Sequence, residues 1–188
     1  GSEGLYNYDL NGGLLWKKDF GVLDSGFYSA PEAQWGFASS PVIFENMVII
    51  QADVQKNSFL AAFDVGSGKE LWRTPRSDVP TFSTPAVAPY TASGAGGLQI
   101  VVNGWKHIGG YDLKTGKELW KLQGVGDIPV PTPVFLDGLV VITNAHGLGR
   151  PIFAIRTDAA GDLTKNRSAI AWMQEQAGNY MQTPLLHA

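Results

Sequence analysis

The chain has 188 residues and no cysteine. That absence alone excludes disulfides, thiolate metal sites and cysteine nucleophiles. It says nothing about compartment. Basic charge is also short: 14 Lys and Arg stand against 17 Asp and Glu, for a formal net charge of −3. No broad positive field is available for nucleic acid. No apolar run reaches the ~18 residues that a spanning helix needs, so direct membrane insertion is not expected. The opening Gly1-Ser-Glu-Gly lacks the basic and apolar regions of a signal peptide, and Gly1-Ser2 fits a tag remnant. Long segments with apolar residues at i, i+3 and i+4 are missing as well, which argues against a helical solenoid.

What the chain does have is glycine, proline and a recurring tryptophan: Gly 23, Pro 11 and Trp 6. Trp16, Trp72, Trp120 and Trp172 follow one another at intervals of roughly 50 residues, the scale of a repeat architecture. Two of them end nearly the same phrase. Ala62-Phe-Asp-Val-Gly-Ser-Gly-Lys-Glu-Leu-Trp72 aligns with Gly110-Tyr-Asp-Leu-Lys-Thr-Gly-Lys-Glu-Leu-Trp120. Asn7-Tyr-Asp-Leu-Asn-Gly-Gly-Leu-Leu-Trp16 is a shorter copy. A second marker, Ser/Thr-Pro before apolar residues, falls at Ser40-Pro41, Thr84-Pro85, Thr132-Pro133 and Thr183-Pro184.

Between each marker and the next tryptophan the sequence reads as four short strands. Pro41–Phe44, Met47–Ala52, Ser58–Asp64 and Lys69–Arg73 are rich in β-branched and aromatic residues and are separated by turn formers. Gly66-Ser-Gly68 suits a tight turn because glycine tolerates positive φ. The next repeat gives Ala86–Ala88, Leu98–Asn103, Ile108–Asp112 and Lys117–Trp120, with a longer first turn. The third gives Val134–Leu136, Leu139–Thr143 and Pro151–Ile155, then an enlarged hairpin from Arg156 to Trp172. Four antiparallel strands per repeat describe a propeller blade. The expected fold is all-β: three complete blades at 38–73, 82–121 and 130–173, the end of a blade at 1–20, and the first strand of another at 180–188. The phase of the ends predicts a segment of a larger ring, or a half-ring completed by a second copy.

The phrase Ala62-x-Asp64-x-x-Ser67-Gly68-Lys69-x-x-Trp72 resembles the tryptophan-docking repeat of the pyrroloquinoline-quinone (PQQ)-like β-propellers. Asp112, Gly116 and Trp120 match it in the next repeat, and Arg156 replaces the Asp in the last. The resemblance implies that each outer-strand tryptophan packs on the neighbouring blade, that Asp and Gly shape the turn, and that Lys stays solvated. It leaves function open. Some such propellers are quinoprotein dehydrogenases that bind PQQ and calcium. Others are cofactor-free scaffolds, among them outer-membrane assembly factors exported to the bacterial periplasm.

In a propeller the loops joining strands two and three emerge on the same side as the inter-blade loops. A ligand-binding face is therefore expected from Trp35, Asp53, Asn103, Trp105, Lys106, His107, Asn144, His146, Arg150 and Tyr180, supported by Tyr28, Gln34, Gln55, Lys56, Asp127 and Asn179. Asp53, Asn103, Asp127 and Asn144 are the oxygen donors that a calcium reading would use. His107 and His146 could meet but lack a third ligand, so no metal site is assigned. Ser39, Ser40 and Ser83 lie on the histidine side of strands, yet no G-x-S-x-G nucleophile elbow occurs, and no catalytic residue is assigned. Gly66–Lys69 and Thr115–Lys117 imitate fragments of a phosphate loop, but each Lys is followed by Glu and a further strand. Asn166-Arg-Ser168 fits a glycosylation sequon. The expected function is a binding or scaffolding module for a protein, peptide or small ligand, without cofactor and self-associating through open blade edges. A quinoprotein oxidoreductase with PQQ and calcium, or a hydrolase on the same face, is the alternative.

Overall fold

The computed structural model describes residues 3–92 and 96–187. Gly1-Ser2, part of the longer first turn of the second full blade, and Ala188 lie outside the described residues. Among the described residues, seventeen strands and one short 3-10 turn make up the regular structure. They begin with an isolated hairpin, β1 (Gly4–Tyr8) and β2 (Leu14–Asp19). A small hairpin follows, β3 (Gly26–Phe27) with β4 (Ala30–Gln34), which the sequence pattern did not reveal. The first full blade is β5 (Val42–Phe44), β6 (Met47–Ala52), β7 (Phe59–Asp64) and β8 (Glu70–Pro75), antiparallel and in chain order. The second is β9 (Ala86–Tyr90), β10 (Gly97–Val102), β11 (His107–Asp112) and β12 (Glu118–Gln123). In the third, β13 (Val134–Leu136), β14 (Leu139–Thr143) and β15 (Ile152–Arg156) are followed by β17 (Ile170–Gln174). Between the last two lies β16 (Gly161–Asp162).

The middle strands are buried on both faces, because each blade is sandwiched between neighbours. Along β6, Met47 and Ile49 join a core with Ile100, Val102 and Tyr111 of the second blade. Ile50 and Ala52 turn the other way, toward Leu5, Phe20 and Leu23 beside the N-terminal hairpin. A third core unites Val101, Trp120 and Leu122 with Ile142, Phe153 and Leu163 of the third blade. Alternation between half-buried and exposed positions survives at the blade edges, in the short first strands β5 and β13 and in the outer strand β8.

The docking geometry repeats with the sequence. Trp16 Nε1 donates to the Val65 carbonyl at 2.8 Å, and Trp72 Nε1 to the Leu113 carbonyl at 3.1 Å. Each ring lies on the turn glycine of the next blade, Gly68 or Gly116, where a Cβ would collide with it. Those glycines sit at φ 68° and 69°, so they are required twice over. In both turns the Asp carboxylate, Asp64 or Asp112, accepts the backbone N–H and the hydroxyl of the residue three positions on, Ser67 or Thr115. All four outer hairpins also carry a register shift at one equivalent place: Asn7/Tyr8, Ala62/Phe63, Gly110/Tyr111 and Ala154/Ile155. The bulge thus persists in the last repeat, where the Asp is lost.

Trp120 departs from the docking pattern. The next blade offers no short turn, and Trp120 is instead fully enclosed, donating to Gln99 Oε1 at 2.7 Å. The enlarged hairpin reaches back to it: β16 pairs in parallel with β12 at Trp120 and Lys121. The insertion therefore covers part of the outer edge of the second blade. Trp172, with no further blade in the chain to dock on, is 46% exposed.

The strand expected at 180–188 is not formed over residues 180–187, since no second strand of that blade lies in this chain to pair with it. Its starting point keeps the repeat register nonetheless. Thr183 Oγ1 accepts the Thr132 N–H as Thr84 Oγ1 accepts that of Ser40.

Candidate functional site

The loops after the second strands and the inter-blade loops come together on one side, and their aromatic side chains form a continuous ribbon. Tyr180 stacks on His146 at 4.9 Å between ring centroids. His146 Nδ1 lies 3.9 Å from Asp127 Oδ2, and the two residues form an isolated backbone bridge. Asp127 Oδ1 accepts the Trp105 indole N–H at 2.5 Å. Trp105 packs on Tyr28 at 4.1 Å, Tyr28 on Phe27 at 5.0 Å, Phe27 on Trp35 at 6.0 Å, and Trp35 on Phe82 at 5.9 Å. Six loops or strand ends contribute, so the ribbon runs across all three full blades. Trp35 is 54% exposed and Tyr180 40%, leaving broad apolar faces in water.

Close loop packing builds this surface. A Cβ at Gly124 would strike the Trp105 carbonyl, and one at Gly149 the Val125 side chain. Ile128, directly after Asp127, has φ 53°, which costs a β-branched residue about 1–3 kcal/mol. It is held there from both sides: Asp127 N–H donates to the His146 carbonyl, and the Pro129 carbonyl accepts the Phe82 N–H. A cleft of about 540 Å³ opens between Tyr28, Trp105 and the loops at 124–127 and 147–149.

A second constellation lies just inside, between the first two full blades. The Arg76 guanidinium is fully buried. Its Nε donates to Asp53 Oδ1 at 2.7 Å, and its Nη2 to Asp53 Oδ2 at 3.2 Å and Asp78 Oδ2 at 3.1 Å. Its Nη1 donates to the Tyr111 hydroxyl and faces His107 Nε2 at 3.3 Å. Burial opposes the guanidinium charge, but the attraction of Asp53 and Asp78 outweighs it and holds Arg76 above its ordinary value. Burial, with the nearby Asp53 charge, pushes the Asp78 carboxyl up to about 6. Burial and then the Arg76 charge push His107 down to about 4, and burial raises Tyr111 to about 12. His107 is therefore neutral at pH 7. Its 3.4 Å approach to Glu118 is a polar contact, not an ion pair.

This network corrects part of the expected binding face. Asp53 is wholly buried; besides Arg76 it accepts from Gln51 Nε2 and the Thr81 hydroxyl. Asn103 and Asn144 are also buried and exchange side-chain hydrogen bonds of 3.1 and 2.9 Å. These three end the second strands of their blades, where the blades converge, so their polar groups are spent inside the protein. His107 belongs to the Arg76 network. Trp35, Trp105, His146 and Tyr180 do meet in the ribbon, Lys106 is exposed at its edge, and Arg150 is exposed beside it. Tyr28, Asp127 and Phe82 complete the ribbon. Arg76 and Asp78 went unseen because no repeat position or local motif marks them, and Tyr111 because its place in the repeat, aligned with Phe63, gives no sign of a polar partner.

The two histidines have different partners and are not brought together. Ser83 donates to the Pro131 carbonyl rather than to a histidine. For calcium beside a quinone, the four oxygen donors do not fit. Asp53, Asn103 and Asn144 are consumed by internal bonds, and Asp127 is held by Trp105. Among the described residues no group of three His, Asp or Glu side chains could hold a metal ion.

Comparison with known proteins sets this geometry in a family. The sequence profile of the outer membrane protein assembly factor BamB matches residues 1–187. The chain is 31% identical over 122 residues to that assembly factor from Burkholderia pseudomallei, covering 64% of this chain and 29% of the relative. It is 30% identical over 77 residues to methanol dehydrogenase [cytochrome c] subunit 1 of Methylorubrum extorquens, covering 38% of this chain and 12% of the relative. The chain thus spans less than a third of these relatives. The crystal structure of BamB from Moraxella catarrhalis superposes with a TM-score of 0.56 at 15% identity, over 98% of this chain and 49% of that one. On the match along its whole length, the chain belongs to the BamB family of PQQ-like β-propellers.

Proposed function

We propose that the chain is a non-catalytic binding module that offers its loop face to a protein partner, in the manner of a scaffold. The observation that carries this reading is the aromatic ribbon from Tyr180 to Phe82, assembled before any partner arrives and open to solvent at Trp35 and Tyr180. Exposed tryptophan and tyrosine on a rigid frame give large contact area at small ordering cost, which is typical of interface anchors. Membership of an assembly-factor family supports the same reading. Residence in the bacterial periplasm is part of the proposal by analogy.

The test is co-purification with a tagged chain and with its Trp35→Ala, Tyr180→Ala double variant. Both side chains are half exposed, so the fold should keep its melting temperature within about 2 °C. Loss of the co-purifying protein at unchanged stability is the expected result. Retention of the same partner at the same yield would overturn the reading. The oxidoreductase alternative predicts a quinone absorbance on titration with PQQ and calcium; none is expected here.

A further inference from the structure

The cleft beside Trp105 does not end at the loop face. It shares Gln123, Val125, Leu148 and Gly149 with a second cleft of about 480 Å³, floored by Leu122, Phe153 and Met173 between the second and third blades. Gln123 also borders a third cleft of about 490 Å³, lined by Lys106, Lys121 and Lys165. One branched groove results, with an apolar floor, polar walls that include Gln123, Arg167 and Glu175, and three lysines at one end.

Two features mark this groove as made for an occupant. At its junction Leu148 is 99% exposed and Val125 44% exposed, an apolar pair standing in water. At its basic end three lysines, Lys106, Lys121 and Lys165, outnumber two carboxylates, Glu118 and Asp162. Asp162 accepts from Thr164 and lies 3.6 Å from Lys165, and Glu118 lies against Tyr111 and His107. Lys106 and Lys121 have no carboxylate within 4.0 Å among the described residues. Positive charge is thus gathered here on a chain whose net charge is negative.

We propose that this groove seats an extended, acidic and apolar peptide segment of the partner. An apolar side chain enters between Val125, Leu148 and Met173, and a carboxylate reaches Lys106 and Lys121. The inference rests on the scaffold reading above and specifies the chemistry its partner presents. Complementary charge at the rim steers the segment and sets its direction, and the apolar contact holds it.

The experiment uses fluorescein-labelled synthetic peptides and anisotropy. One alternates Asp with Leu, a second replaces every Asp with Lys, and a third replaces every Leu with Ser. The first is expected to bind at least about tenfold more tightly than either control. Lys106→Glu with Lys121→Glu should abolish that preference, and Leu148→Asp should weaken binding about fivefold or more. Lys69→Glu, in a distant turn, should leave it unchanged. Equal binding of the three peptides, or indifference to the rim variants, overturns the proposal. So does equal competition by heparin, which would mean a polyanion site without apolar selection. If the peptides fail while the partner still depends on Trp35 and Tyr180, only this inference falls; if that dependence also fails, the scaffold reading falls with it.

Discussion

Trp72 and Trp120 hold the same place in the repeat but lie in different surroundings. Trp120 is enclosed by two blades, so Trp120→Ala should leave a cavity and cost about 3–5 kcal/mol. Trp72 keeps part of its ring in solvent and should cost clearly less on urea denaturation. Equal losses would mean that the enlarged hairpin does not close over Trp120. Arg76 is a different kind of residue. Arg76→Leu leaves Asp53 and Asp78 buried without their counter-charge and should cost about 3–5 kcal/mol. His107 gives a pH prediction. Its value is lowered from 6.5 to about 4, so between those limits the unfolded chain binds the proton and the folded chain does not. Its contribution is complete above pH 6.5 and lost as pH falls toward 4. The stability difference between wild type and His107→Gln should therefore grow with pH across that window, by at most about 1 kcal/mol per pH unit. A constant difference would contradict the assigned surroundings. Asp78 acts in the opposite sense, since its raised value stabilises the protonated folded form. The tryptophans were readable because a packing device recurs with the repeat. Arg76 was not, because its burial follows from how two blades close, and Pro75-Arg-Ser-Asp78 looks like an ordinary surface loop.

At the level of elements, the outer hairpin is the recurring part, and its glycines separate two costs. Gly12 has φ 84° with open space where a Cβ would sit, so Gly12→Ala should cost only the conformational penalty, about 1 kcal/mol. Gly116 has φ 69° and the Trp72 ring above it, so Gly116→Ala should cost about 2–4 kcal/mol through strain and undocking together. Chemical denaturation of both variants checks the contrast; similar losses would show that docking contributes little. Strand positions were legible to within two or three residues, since β-branched runs between turn formers leave few choices. The β3–β4 hairpin was not, because Gly26-Phe27 and Ala30–Gln34 have neither alternation nor a glycine turn between them. Nor could the sequence disclose that β16 pairs in parallel with a strand of the preceding blade. Length alone marked that hairpin as unusual.

For the molecule as a whole, the fold was legible and the site was only half so. Loops that share a side could be inferred from blade topology, and Trp35, Trp105, His146 and Tyr180 do meet there. Burial could not be inferred, so Asp53, Asn103 and Asn144 looked like free donors although they brace the blades. The N-terminal hairpin remains two-stranded, and beside it Leu5, Phe20, Phe37 and Ile50 border a hollow of about 180 Å³. An unpaired strand next to apolar surface invites association. Sedimentation equilibrium on this chain should show mass rising with concentration; a constant monomer mass would show the edge to be protected. The most direct test of the loop face as an interface is site-specific photo-cross-linking in cells. A photoreactive phenylalanine analogue is placed at Trp35 or Tyr180, and for comparison at Ser67 or Thr115 on the opposite turns. Adducts to one protein from the first pair and none from the second are expected; adducts from the turns alone, or equally from both faces, would contradict the proposed role of this surface.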